Sequence, residues 1–269
     1  MIVSACSEPR EFVASAAPPA PPAAEAEDWS GFGVLENVLN WTPEQQLRGY
    51  RNIDRIYPTR PVTASGRPYP LPSNWIELTG LRYEVSGATF DVDQFFKHNH
   101  LVGLLVIKRG KVVVERYARG NTPETRWYSF SVAKSVVSML IGAAVRDGYI
   151  QSLDATVTDY LPLLAGSAYG KVSIRDAIQM ASGVAWIEDY TDPQSDIAST
   201  GGSALNRLRY LRKKPRVSPP GRVFNYNTAE ANLLGAVLRA AIGNNLSTYL
   251  EHKIWRPFGM EHDANWLLL

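Results

Sequence analysis

An apolar segment at residues 132–145 limits the possible folds more than any other part of the chain. Valine, leucine, isoleucine and alanine recur there on almost every side of a helix, which predicts a central, buried helix. Its longest apolar run, residues 136–145, is interrupted by Ser138 and is too short to span a bilayer. A chain of 269 residues can bury one substantial core or two modest ones, and this helix is expected to lie inside it.

A serine and a lysine stand three residues apart where this helix begins, in the segment 129–135 (SFSVAKS). Positions i and i+3 share a helix face, so the Lys134 amine is expected beside the Ser131 hydroxyl. The helix N-terminus adds free N–H groups and the positive end of the helix dipole. A serine becomes a nucleophile when a neighbour takes its proton. The pair therefore predicts covalent acyl transfer, although Ser-x-x-Lys alone is also expected by chance.

Composition argues against several other classes of function. The chain is 45% hydrophobic and 20% charged, as in an ordinary globular protein, and its net charge of +2 argues against a nucleic-acid or membrane-surface footprint. The single cysteine, Cys6, excludes an internal disulfide and a cysteine metal cluster. His98 and His100 lack further ligands at metal spacing, so we predict two surface histidines, no metal and no cofactor.

Residues 1–28 are expected to form a disordered tether, because residues 14–27 are almost entirely Ala, Pro and Glu. Cys6 lies in a segment (VSACS) similar to the end of a bacterial lipoprotein signal, but no basic and apolar regions precede it. A lipid anchor at Cys6 would place the protein in the cell envelope or periplasm, whereas a cytoplasmic location follows if the N-terminus is as given. The folded domain is predicted at residues 29–269.

Local patterns predict an α+β architecture. Thr42, Pro43 and Gln45 predict a capped helix that ends before Pro58, and the Pro- and Gly-rich stretch 59–72 predicts a loop. A hairpin is predicted over 101–108 and 112–117, with further helices at 91–98, 131–147, 173–183, 204–214, 228–241 and 246–255. The expected arrangement is an antiparallel sheet with a helical subdomain.

Four motifs, in this order and spacing, resemble the serine β-lactamase and penicillin-binding-protein superfamily. They are NVLNWTPEQQ at 37–46, SFSVAKS at 129–135, WIEDYTDP at 186–193, and FNYNT at 224–228 followed by LLG at 233–235. The first and third are similar to the branch of 6-aminohexanoate-dimer hydrolases and carboxylesterases. The resemblance extends from residue 29 to the end of the sequence and implies a β-lactamase/transpeptidase-like fold.

The resemblance implies roles for five residues. Ser131 would be the nucleophile that forms an acyl-enzyme, Lys134 the base that activates it, and Tyr226 the acid/base for the leaving group and the deacylating water. Tyr190 would hydrogen-bond a leaving amine. Thr228 occupies the Asn position of the superfamily's Tyr-x-Asn motif and offers a hydroxyl without an amide donor pair.

A third motif of the superfamily, Lys-x-Gly or His-x-Gly on a strand beside the site, does not follow Tyr226. We therefore expect a C-terminally incomplete domain that lacks an oxyanion-hole donor, whose loss typically costs about 10²–10³ in rate. The favoured function is hydrolysis of a small-molecule ester or amide. A non-catalytic envelope binding module or inactive fragment is the first alternative, and a D,D-peptidase or β-lactamase is the second.

Overall fold

The computed structural model describes residues 35–200, 203–243 and 245–268. The predicted tether at 1–28, the candidate anchor Cys6 and the predicted start of the domain at residue 29 lie outside these ranges. Within them the α-helices are α1 Pro43–Arg51, α2 Ile53–Ile56, α3 Val92–His98, α4 Val132–Arg146, α5 Val157–Tyr160, α6 Ile174–Ile178, α7 Asp196–Ser199, α8 Ala204–Leu211, α9 Thr228–Ile242 and α10 Leu246–Leu250. Three 3-10 turns (Leu35–Asn40, Pro162–Leu164, Ala168–Lys171) and a π-helical turn (Glu251–Trp255) complete the helical part. None of the helices in these ranges has the length and apolar character needed to cross a membrane.

In the described ranges the strands form three separate antiparallel pairs. They are β1 Thr59–Val62 with β6 Ala264–Leu267, β2 Arg82–Val85 with β3 Ala88–Asp91, and β4 Gly103–Lys108 with β5 Lys111–Tyr117. The β4–β5 hairpin confirms its prediction: Arg109 and Gly110 both have positive φ, as a type I′ turn requires. The β2–β3 hairpin turns in the same way at Ser86 and Gly87, and it was not predicted.

The predicted loop at 59–72 is wrong for its first four residues, which form β1. Thr59 lies opposite Leu267 and Val62 opposite Ala264 in the register with β6. Pro61 lacks a backbone N–H, and this made the segment look like a loop; in a two-stranded sheet a proline is tolerated because every strand is an edge. Local sequence contains no sign of a partner some 200 residues away.

The core lies where α4 packs against α9. Leu140 and Ile141 of α4 and Leu233 and Val237 of α9 are fully buried, together with side chains from α5, α6 and α8. The prediction of a helix buried on all sides is wrong for one face of α4. Met139 there is 50% exposed, because no described element packs over it. The buried face of α4 nevertheless fixes the helix, and therefore the residues at its N-terminus, against the core.

The helix that Ser173 begins ends earlier than predicted. Ser173 and Asp176 form a capping box, but α6 stops at Ile178, and Met180 adopts a positive φ of 51°. The chain then leaves the helical path as an irregular segment. The backbone N–H of Asn225 donates to the Met180 carbonyl at 2.8 Å, which joins this segment to the residues before α9. Residues 180–190 are thereby brought beside the N-terminus of α9.

Candidate active site

The predicted Ser131–Lys134 neighbourhood is present at the N-terminus of α4. Ser131 is the N-cap residue of the helix, but its side chain makes no capping hydrogen bond. Its Oγ instead lies 2.8 Å from Lys134 Nζ, as the i, i+3 spacing predicted. The hydroxyl is exposed to solvent, so a substrate can reach it.

The residue before the nucleophile candidate has a strained backbone. Phe130 has φ +45°, a left-handed conformation that costs an aromatic residue about 1–2 kcal/mol. Its ring packs edge-on to Tyr50 at 4.8 Å and against Tyr128 at 4.1 Å, and the Tyr128 N–H donates to the Tyr50 carbonyl. These contacts hold Phe130 in a conformation that turns the chain sharply into α4. The aromatic cluster thus helps to set the position of Ser131.

Tyr226 reaches the same hydroxyl from a distant part of the chain. Its OH lies 2.9 Å from Ser131 Oγ, and the Lys134 amine lies 5.1 Å from the centre of its ring. Burial opposes ionisation of this phenol, but hydrogen bonding with Lys134 and Ser131 together with the positive charge of Lys134 outweighs it, and the pKa of Tyr226 is lowered. A phenol with a lowered pKa beside a serine and a lysine can act as a proton acceptor and donor.

Two asparagines beside Tyr226 determine where it points. The Asn225 side chain donates to the Trp186 carbonyl at 3.1 Å. Asn227 is buried and caps α9, because its side-chain oxygen accepts the Glu230 N–H at 3.1 Å. Since Asn227 turns into the core, Tyr226 on one side and Thr228 on the other are left to face the site.

Tyr190 and Thr228, the two predicted substrate contacts, meet at a third side chain that the sequence reasoning had not singled out. Both hydroxyls donate to the Glu188 carboxylate. The Thr228 backbone N–H, the first of α9, donates to its other oxygen at 2.7 Å, and so does the Trp186 indole N–H at 2.7 Å. Burial and the bond to Glu188 raise the pKa of Tyr190 to about 12, so its phenol keeps its proton at neutral pH.

The segment that carries Glu188 is anchored by a buried ion pair. Asp196 is 4% exposed and accepts the Ile187 N–H at 2.7 Å, the Lys214 ammonium at 2.7 Å and the Tyr210 hydroxyl. Asp196 is nine residues from Ile187 in the sequence. The anchor forms because Tyr210 of α8 and Lys214, three residues after that helix ends, both reach Asp196. This ion pair holds Glu188 and Tyr190 next to α9.

The structure therefore brings Lys134 and Tyr226 within hydrogen-bonding distance of Ser131 Oγ, and it places Tyr190 and Thr228 together at Glu188. The two groups are neighbours, because Thr228 follows Tyr226 by two residues and its backbone N–H donates to Glu188. One sequence feature could have indicated a role for Glu188 in the site. It is an acidic residue two positions before Tyr190, inside the motif at 186–193.

Comparison with known proteins identifies the family of this chain. The family model described as Beta-lactamase matches residues 92–267. The 6-aminohexanoate-dimer hydrolase of Paenarthrobacter ureafaciens is 27% identical over 184 residues, which are 65% of this chain and 46% of that protein. The chain thus spans about half the length of this curated relative.

Two solved structures show the same fold. A Bacillus anthracis protein assigned as a 6-aminohexanoate-dimer hydrolase superposes with a TM-score of 0.70 at 20% identity, over 83% of this chain and 62% of that one. A class C β-lactamase in complex with cefoxitin has a TM-score of 0.50 at 20% identity, over 64% and 48% of the two chains. The expected α+β, β-lactamase-like fold is confirmed. Since the family model covers more than half of its residues, the chain belongs to the beta-lactamase family of hydrolases.

Proposed function

We propose that this protein is an acyl-serine hydrolase that cleaves an ester or an amide through Ser131, Lys134 and Tyr226, without a cofactor. One observation carries the proposal. The Ser131 hydroxyl lies 2.8 Å from the Lys134 amine and 2.9 Å from the Tyr226 phenol, so two groups able to move a proton meet on one exposed nucleophile.

In the acylation step, the Lys134 amine takes the hydroxyl proton while Ser131 Oγ attacks the substrate carbonyl carbon. The developing oxyanion is stabilised by the Ser131 N–H at the N-terminus of α4. When the tetrahedral intermediate collapses, the bond to the leaving group breaks, and the leaving atom takes a proton from the Tyr226 phenol. Acylation therefore leaves the serine proton on Lys134 and Tyr226 as its phenolate.

In the deacylation step, Tyr226 acts in the opposite direction. Its ionised form, favoured by the neighbouring Lys134, takes a proton from a water that attacks the acyl carbon. The bond from the acyl carbon to Ser131 Oγ then breaks, the acid leaves, and Ser131 takes its proton back from Lys134. The same phenol therefore serves as acid in one step and base in the other.

We assign the leaving-group side of the site to Tyr190 and Thr228, whose hydroxyls both donate to Glu188. A 6-aminohexanoate-dimer hydrolase among the relatives supports a linear amide or ester. A β-lactam or D,D-peptide substrate is less favoured, because Thr228 donates its hydroxyl proton to Glu188 and has no side-chain amide that could bind the substrate. We also retain the proposal of a lipid anchor at Cys6, which metabolic labelling with palmitate can test on the full-length protein.

The test is intact-mass analysis after exposure to a fluorophosphonate, from which a serine displaces fluoride. Wild type is expected to gain one adduct and Ser131→Ala none, while Lys134→Ala and Tyr226→Phe label more slowly, by about 10²-fold or more. Ser135→Ala, an exposed serine one turn along the same helix, is the matched control and labels like wild type.

Labelling of Ser131→Ala at the wild-type rate would refute the assignment of the nucleophile. A folded wild-type protein that gains no adduct would instead favour the non-catalytic binding module. Circular dichroism of each variant separates loss of the nucleophile from loss of the fold.

A further inference from the structure

We infer that Glu188 is a positioning residue that makes Tyr190 and Thr228 hydrogen-bond acceptors on the leaving-group side, and that it thereby favours amide over ester substrates. The inference rests on the proposed acyl transfer at Ser131. It assigns Glu188 no contact with the reacting atoms. Its effect passes through the two hydroxyls that the carboxylate holds.

The four donors around Glu188 decide the direction of every hydrogen bond. One carboxylate oxygen accepts the Trp186 indole N–H and the Thr228 backbone N–H, both at 2.7 Å. The other accepts the hydroxyls of Tyr190 and Thr228. An ionised carboxylate only accepts, and a hydroxyl has a single proton to donate. Both hydroxyl protons are therefore directed at Glu188, and only lone pairs remain to face a substrate.

Lone pairs discriminate between the two kinds of leaving group. An amide nitrogen carries an N–H that can donate to the Tyr190 oxygen, whereas an ester oxygen has no proton and would face those lone pairs without a partner. Tyr190 is 45% exposed, so its oxygen is accessible to a substrate bound at Ser131. Thr228 stands two residues after Tyr226, whose OH lies 2.9 Å from Ser131 Oγ, and its backbone N–H donates to Glu188 at 2.7 Å, so this cluster adjoins the proposed nucleophile.

Replacing the carboxylate with its isosteric amide should reverse the polarity of the two hydroxyls. The Trp186 and Thr228 N–H groups cannot accept hydrogen bonds, so the new side chain must turn its carbonyl toward them. Its NH₂ group then faces the hydroxyls of Tyr190 and Thr228. Each hydroxyl must accept that bond and turn its own proton into the site. Glu188→Gln thus converts two acceptors into two donors without changing the size of the side chain.

The experiment compares phenyl hexanoate with hexananilide, which differ only by O against N–H at the leaving atom. For Glu188→Gln, the ratio of kcat/KM for the anilide to kcat/KM for the ester is expected to fall about tenfold, the effect of one hydrogen bond exchanged for a mismatched one. Asp189→Asn is the matched control, since this neighbouring carboxylate accepts from Thr191 instead, and its ratio should equal that of wild type.

A double-mutant cycle separates positioning from a merely structural role. If Glu188 acts through the hydroxyls, Glu188→Gln changes the ratio less in a Tyr190→Phe background, because one of the two hydroxyls is gone. Glu188→Asp keeps the charge and the acceptor polarity, and it should retain a higher anilide-to-ester ratio than Glu188→Gln even if the overall rate falls.

Equal losses on the two substrates, or additive effects in the cycle, would overturn the inference. If Glu188→Gln does not fold, Glu188→Asp is compared with Tyr190→Phe. An anilide-to-ester ratio that is no higher in Glu188→Asp than in Tyr190→Phe would then overturn the inference. If wild type cleaves neither substrate and Ser131 takes no fluorophosphonate, the proposed function fails and this inference falls with it. If Ser131 is labelled and the ratio does not respond to Glu188, only the inference fails.

Discussion

The Lys134 amine and the Tyr226 ring face each other, with Nζ 5.1 Å from the ring centre, and the polar ends of both side chains reach Ser131 Oγ. Burial raises the pKa of the phenol, but the hydrogen bonds with Lys134 and Ser131 and the positive charge of Lys134 together have the larger effect. In the proposed mechanism the lysine therefore has two effects. It accepts the serine proton, and in its charged form it makes Tyr226 easier to ionise.

Removal of the lysine charge should shift the titration of Tyr226. In Lys134→Met the pKa of Tyr226 is expected to rise, because the positive partner that favours the phenolate is gone while the burial remains. In Glu188→Gln it should fall further, because a negative neighbour is removed. Tyrosinate absorbance, followed with pH and corrected by subtracting the matching Tyr226→Phe titration, measures both. A Tyr226 that titrates identically in Lys134→Met and wild type would contradict the coupling.

Phe130 predicts an unusual order of stability for two small substitutions. Phe130→Ala and Phe130→Gly lose the same contacts with Tyr50 and Tyr128, but only glycine adopts the positive φ without strain. Phe130→Gly should therefore be the more stable of the two by about 1 kcal/mol, the reverse of the order expected inside a helix. Urea unfolding of both variants measures the difference. Greater stability of the alanine variant would show that the backbone strain is not present in solution.

The Asp196–Lys214 pair should contribute more to stability than an exposed pair of the same length. Asp196→Ala leaves Lys214 and the Ile187 N–H without their partner, and it should lower the free energy of unfolding by about 3 kcal/mol. Asp154→Ala breaks the exposed pair with Arg175 and should cost less than about 1 kcal/mol. Chemical denaturation compares the two, and equal losses would mean that Asp196 does not anchor this segment.

Glu230 predicts a pH-dependent stability that a neutral isostere removes. Burial raises the pKa of this carboxyl from 4.5 to about 7, against the opposing hydrogen bonds from Ser182 and Tyr169. The folded chain therefore keeps a proton that the unfolded chain releases. The stability contributed by neutral Glu230 is complete below pH 4.5 and is lost as the pH rises to about 7, a change of about 3 kcal/mol.

Glu230→Gln cannot ionise, so it should gain stability relative to wild type over the same pH interval. Urea unfolding of the two proteins at pH 4.5 and at pH 7 gives the difference between their free energies of unfolding at each pH. All other carboxylates titrate alike in the two proteins, so their contribution cancels in this difference. A difference that stays constant with pH would mean that Glu230 titrates alike in the folded and unfolded chains.

Short-range features were predictable because neighbours in sequence decide them. The Thr42–Gln45 capping box and the Arg109-Gly110 hairpin turn are present as expected. The early end of α6 was not predictable, since Met180 turns there to bond with Asn225 from a distant segment. The pairing of β1 with β6 was not predictable for the same reason, because the two strands are far apart in the sequence.

The Ser131–Lys134 pair follows from the sequence alone, because residues three apart on a helix lie about one turn apart. Tertiary packing was needed to bring Tyr226, 95 residues away, to the same oxygen and to gather the hydroxyls of Tyr190 and Thr228 at Glu188. Those contacts depend on how α4 packs against α9 and on where residues 180–190 lie beside the start of α9. No local pattern encodes such distances, because they result from burying the whole core at once.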